Sequence, residues 1–196
     1  MTRSRGLGDV YKRQLKYFIV ELLTAINFCL IYYIYGLSVT TLLFIVLSII
    51  FVIIFFIDLK HFIIPNELTF TLMFIGFVKS FYPKLDTEIF PNVINSLIGG
   101  VLGYTVIWTI IFLYKKIKNK EGMGLGDAKL LSAIGFWFGW VSVPLIIFFS
   151  SLIALVYVSP TLINKTKNLS TQIPFGPYLV IGTIVCFIVI GYFGMW

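Results

Sequence analysis

Polar residues are sparse in this chain, and the apolar stretches between them define its organisation. Seven such stretches follow one another, over 17–35, 41–57, 68–81, 93–114, 128–140, 143–163 and 175–193. A bilayer core about 30 Å thick takes about 20 apolar helical residues to cross. The first, second, fourth, sixth and seventh stretches meet that length; the third and fifth are short, as in segments that tilt, re-enter or are completed by neighbouring helices. The pattern therefore predicts an all-α fold, a polytopic transmembrane helix bundle of about seven segments. Breakers fall between the stretches: Gly36 closes the first hairpin, Pro65 and Asn66 interrupt the chain before the third, and Pro83 and Pro91 bracket a loop after it. Pro160 falls near the end of the sixth, where it is expected to kink or end the helix.

Composition agrees: 59% of the residues are hydrophobic and 12% charged, and a mean hydropathy of +1.00 lies far from soluble usage. A net charge of +7 raises the question of a nucleic-acid partner, but the cations sit in short loops, where they act as topology signals, so no nucleic acid is expected. If all seven stretches cross, Lys16, Lys60, Lys115, Lys116, Lys118, Lys120, Lys129, Lys165 and Lys167 share one face. Lys79 and Lys84 take the other, near Asp86 and Glu88. The lysine-rich face is then cytoplasmic and the C-terminus outside. Cys29 and Cys186 stand alone in apolar runs and read as small buried residues. His61 is the sole histidine and cannot build a metal site by itself. No metal and no cofactor are predicted, and nothing fixes an oligomeric state.

Residues 1–14, MTRSRGLGDVYKRQ, are polar and basic and lack the apolar core of a signal peptide. Their DVYKRQ end resembles the translated end of a transposase adapter used in sequencing libraries. Residues 1–14 are therefore expected to be a non-native leader outside the fold, and 15–196 the membrane domain.

Acidic residues near membrane segments are costly and so are functional candidates. Asp58 ends the run FVIIFFI; alone, it reads as an interfacial charge beside Lys60 and His61. Asp127 precedes AKLLSAIG and alone reads as a helix N-cap. The pair says more, because two crossings separate them and an even number returns the chain to the same face. Two carboxylates at one membrane edge repel and split their titration. One then serves as general base on water while the other, protonated, polarises a carbonyl. Before Asp127 stand Gly122, Gly124 and Gly126, alternate glycines that leave room for an extended chain. A flexible turn explains them equally well, and no GK[ST] follows to make a phosphate cradle.

The segments FIDLKHFIIPNELT and KEGMGLGDAKLLSAIGFWFGW resemble the two catalytic motifs of bacterial prepilin peptidases, the type IV leader peptidases among the GxGD aspartyl proteases. KYFIVELLTAINF resembles the segment ahead of those motifs and IPFGPYLVIG the start of the final span, so the resemblance runs from Lys16 to the C-terminus in the family's order. It implies an aspartic-type endopeptidase with Asp58 and Asp127 as the catalytic pair and Gly124 and Gly126 in the GxGD loop. Glu21 and Lys129 match family positions and are candidates for contact with substrate. Glu21 reads equally as snorkelling toward Lys16, and Lys129 as an interface anchor. The implied substrates are type IV prepilins or pseudopilins, cut between a basic cytoplasmic leader and an apolar stem held in the bilayer of a bacterial plasma membrane. Many members also carry an upstream span and a domain with paired CxxC motifs, and N-methylate the product. Those features do not occur here, which suits a chain cut short at its front, and methyl transfer is not carried over. Two other classes compete: a transporter or channel using Asp58, Asp127 and Glu21 for protons or cations, and a non-catalytic component of a pilus or secretion machine.

Overall fold

A computed structural model of the chain describes residues 7–82, 90–118, 124–163 and 174–193. Lys84, Asp86, Glu88, Lys120, Gly122, Lys165 and Lys167 lie outside the described residues. All regular structure among the described residues is helical: α1 (Leu7–Tyr35), α2 (Val39–His61), α3 (Asn66–Lys79), α4 (Val93–Lys118), α5 (Leu125–Phe138), α6 (Ser142–Ile163) and α7 (Gly176–Phe193). Four stretches are long and apolar enough to cross a membrane, namely Tyr17–Tyr35, Val39–His61, Val93–Lys118 and Ser142–Ser159; Gly176–Val189 is a shorter apolar one. The chain is a multi-pass helical membrane protein. Helix α1 starts at Leu7, inside the segment expected to stand apart, and α6 runs through Pro160 to Ile163.

The chain divides into two compact units at residues 52 and 53. The first holds α1 and the front of α2. Gly36 takes φ +60, a left-handed conformation that glycine adopts without a Cβ penalty, and its N–H bonds Tyr32 O at 2.8 Å, ending α1. Ser38 then caps α2, its Oγ accepting the Thr41 N–H at 3.1 Å. The two helices are tied by a bond that apolar surroundings make selective, Ser48 Oγ to Asn27 Oδ1 at 2.8 Å.

The second unit is organised around α5. This helix has only 14 residues, about 21 Å at 1.5 Å per residue, yet it is buried on every side: Ala128, Leu130, Leu131, Ala133, Ile134 and Trp137 have no exposed surface. In lipid, helices associate by close packing and buried hydrogen bonds, and both occur here. Against α4, a Cβ at Gly135 would overlap the Gly99 backbone, and one at Gly103 would lie 2.6 Å from Leu131 O. Ser132 Oγ donates to Gly100 O at 2.8 Å and Ser96 Oγ to Phe136 O at 2.6 Å. These pairs run in opposite directions along the two helices, so α4 and α5 are antiparallel. Against α3 the pairs run the same way, from Lys129 with Asn66 to Trp137 O with Lys79, and Trp137 Nε1 donates to Leu72 O at 2.8 Å. Helix α7 also runs with α5, and α6 packs antiparallel to α7, with Ser150 against Gly182 and Tyr157 against Tyr178.

Lys79 departs from its expected place. Instead of marking an exposed loop, it is buried, donates to Trp137 O at 2.8 Å and lies 3.9 Å over the Phe90 ring.

Candidate active site

The ends of α2, α5 and α7 meet on the side of the second unit where α3 and α5 begin. Helix α2 closes with Asp58 in its last turn: the Phe62 N–H bonds Asp58 O at 2.9 Å, and Phe62 adopts φ 58, a left-handed conformation that costs a non-glycine residue about 1–2 kcal/mol. That sharp exit turns Ile64 inward, where it is buried, before Pro65 leads into α3.

Asp58 is 4% exposed and Asp127 7%. Asp58 is therefore not the water-facing interfacial charge that its local sequence suggests. Asp127 is not the N-cap of α5 either. Gly124 occupies that position with extended φ −82 and ψ 146, and Asp127 stands three residues on, where an acidic side chain reaches back to the cap's N–H. Asp127 lies outside the four crossing helices, just before the apolar run 128–140. Burial pushes its carboxyl up to about 7, the Asp58 charge adds to the rise, and the Gly124 N–H opposes both. The Asp58 charge thus bears on Asp127.

Asp58 has a partner that the sequence left unassigned. Its Oδ2 accepts the Gly176 N–H at 3.0 Å, at the start of α7. A Cβ on Gly176 would stand 2.6 Å from that oxygen and 3.0 Å from Ile64 Cδ1; one on Gly126 would stand 3.1 Å from Ile64 Cβ. Ile64 therefore wedges between the two glycines, and their lack of side chains lets the three helix ends converge.

The remaining candidates are distributed differently. Gly124 is exposed beside Asp127, while Gly126 already belongs to the first turn of α5, so the glycine-rich stretch is extended at Gly124 and helical at Gly126. Lys129 Nζ donates to Asn66 Oδ1 at 2.7 Å and lies 5.5 Å over the Phe70 ring, an anchor between α5 and α3. Glu21 is exposed on α1, in the first compact unit. Sequence reasoning reached the segment containing Gly176 as the start of the final span, but not its bond to Asp58; the signal for it was the IPFGP segment of the family resemblance. Among the described residues, no three His, Cys, Asp or Glu side chains cluster as a metal site would require.

Residues 45–159 match the type IV leader peptidase family. The chain belongs to that family. It is 40% identical over 187 residues to a prepilin leader peptidase/N-methyltransferase of Xanthomonas campestris pv. campestris, covering 95% of this chain and 63% of the relative. A protein of the same name from Aeromonas salmonicida is 34% identical over 173 residues, 85% of this chain and 55% of that one. Another from Pseudomonas aeruginosa is 37% identical over 125 residues, 64% and 41%. The chain thus spans less than two thirds of the length of these relatives. No solved structure matches it. Both the Asp58 and the Asp127 segment lie inside the family match, and Gly176 lies beyond it.

Proposed function

We propose that this type IV leader peptidase family member is a membrane aspartyl endopeptidase that removes the basic leader from type IV prepilins or pseudopilins. Asp58 and Asp127 would be its catalytic pair. The observation that carries this reading is the burial of two mutually repelling carboxylates at adjoining helix ends, with Asp127 pushed up to about 7. A pair in which one carboxyl keeps its proton near neutral pH provides both a base for water and an acid for the scissile carbonyl.

A substrate with an apolar stem in the bilayer and a basic leader in the cytoplasm would present its scissile bond at the membrane edge. Lys60, Lys115, Lys116 and Lys118 are exposed, and by the positive-inside rule the end bearing them faces the cytoplasm of a bacterium, at its plasma membrane. Gly124, Gly126, Glu21 and Lys129 are candidates for substrate contact. Lys129 has the weaker claim, since Asn66 already engages it. The methyl transfer in the names of the relatives is not part of this proposal.

The test is cleavage of a model prepilin by the lipid-embedded protein, compared with Asp58→Asn and Asp127→Asn. Each substitution should abolish turnover while leaving the folded helical signal. Cleavage that survives either one sinks the assignment of the pair.

A further inference from the structure

We propose that Gly176 is a positioning residue whose backbone N–H holds Asp58 as the ionised member of the pair, so that Asp58 is the general base and Asp127 carries the proton. This rests on the proposed hydrolytic pair and divides its labour.

The hydrogen-bond accounting at the start of α7 leads there. A helix leaves its first four N–H groups without partners in the helix. Pro177 has no N–H. Tyr178 and Leu179 donate to Phe175 O at 3.0 and 3.1 Å. The Gly176 N–H goes outside the helix, to Asp58 Oδ2 at 3.0 Å in a buried setting. A helix N-terminus carries partial positive charge, and an N–H aimed at a carboxylate favours its ionised form. The close approach also depends on glycine, because a Cβ would lie 2.6 Å from the same oxygen. The titratable neighbour facing Asp58 is Asp127 on α5. Lys60 and His61 follow it on α2 and are exposed, Lys129 is engaged by Asn66, and Tyr178 follows Gly176 on α7. Asp127 itself is pushed up to about 7, as suits the group that keeps a proton.

The hydrolysis then balances. Water gives a proton to the Asp58 carboxylate as its oxygen bonds the scissile carbon, and Asp127 gives its proton to the carbonyl oxygen, forming a gem-diol. Asp58 passes its proton to the amide nitrogen as the C–N bond breaks. Asp127 recovers a proton from one gem-diol hydroxyl, leaving a carboxylic acid, a free amine and the starting pair.

The test removes the N–H and adds no atom. Glycolic acid incorporated in place of Gly176 turns the preceding amide into an ester. With the model prepilin as substrate, kcat should fall roughly 10- to 100-fold, the loss expected for one hydrogen bond to a charged group, with KM little changed. The acidic limb of kcat/KM against pH, which reports ionisation of the base, should move up by about one unit. The same exchange at Leu179 removes a bond to Phe175 O without touching Asp58; it should lower the melting temperature and leave that limb in place. Gly176→Ala should lose at least as much kcat as the ester. An unmoved acidic limb in the Gly176 ester, or movement of the basic limb instead, overturns the inference. If Asp58→Asn or Asp127→Asn still cleaves, or the unsubstituted chain does not, the underlying hydrolytic reading has failed. If both substitutions abolish cleavage and the ester leaves the profile unchanged, only the positioning role has.

Discussion

Asp127→Asn should make the protein more stable at pH 8 while inactivating it, and the size of the gain follows from the site. The Asp127 carboxyl moves from an ordinary value of 3.8 to about 7 because it is buried beside Asp58. Its folded-state value lies above its unfolded one, so folding takes up a proton between those two values. Stability associated with this group is fully present below pH 3.8 and declines as pH rises toward 7, where the folded carboxyl also ionises. The slope is about 1.4 kcal/mol per pH unit, which totals on the order of 4 kcal/mol across the window. Asparagine keeps the shape, cannot ionise, and also relieves Asp58 of a like charge. The advantage of the variant should therefore be small at pH 4, grow through pH 5 and 6, and level off above pH 7. Denaturant or thermal unfolding of both proteins in one detergent, at fixed ionic strength, measures it. Taking the difference between the two proteins cancels the other titrating groups. An advantage that does not change with pH would refute the burial and repulsion ascribed to this pair, and one that shrinks as pH rises would reverse their sign.

Five further substitutions follow from the packing and are read by the same unfolding assay. Ser132→Ala deletes a buried donor and leaves Gly100 O without that bond, at a cost of about 1–3 kcal/mol; Ser150→Ala should be neutral or stabilising, because Ser150 Oγ is buried without a hydrogen-bond partner among the described residues. Gly135→Ala forces a methyl group into the Gly99 backbone and should cost at least the 1–3 kcal/mol typical of overpacking. Gly36→Ala meets nothing within 4 Å and should cost only about 1–2 kcal/mol, the strain of a left-handed alanine. Trp137→Phe removes the donor to Leu72 O and should cost about 1–3 kcal/mol from that bond, with a further loss from the vacated volume.

The helices were legible because apolar length is a one-dimensional property, and the grouping of Asp58 with Asp127 was legible by reading both α3 and α4 as crossings, which returns the chain to one face. Burial was not legible. Asp58 is followed by Lys60 and His61, which locally argues for water, and only the convergence of Ile64, Gly126 and Gly176 around it makes it a buried group. The bond from Gly176 was hidden for a related reason. The position of α7 depends on close packing such as Ser150 against Gly182, and a sequence read one span at a time does not say which helices touch.

Lys79 shows how the same residue type carries opposite meanings in the two readings, and it bears on how a helix as short as α5 can hold the proposed catalytic carboxyl of Asp127. A helix of about 21 Å that starts at one membrane edge leaves its last carbonyls at a depth where water does not satisfy them. Two side chains from neighbouring helices do so instead: Ser96 Oγ donates to Phe136 O and Lys79 Nζ to Trp137 O. The lysine read as a loop charge on the outer face is thus a capping group, its Nζ donating to a helix C-terminal carbonyl. That Nζ lies over the Phe90 and Trp137 rings, so the end of α5 is held from two sides while α4 packs along its length through glycines. The far end is thereby fixed in both depth and rotation. Because a helix is stiff, Asp127 in its first turn inherits that placement, and the proposed pair is set by contacts at both ends of α5: Ile64 and Gly176 beside the carboxylates, Lys79 and Ser96 about three turns away.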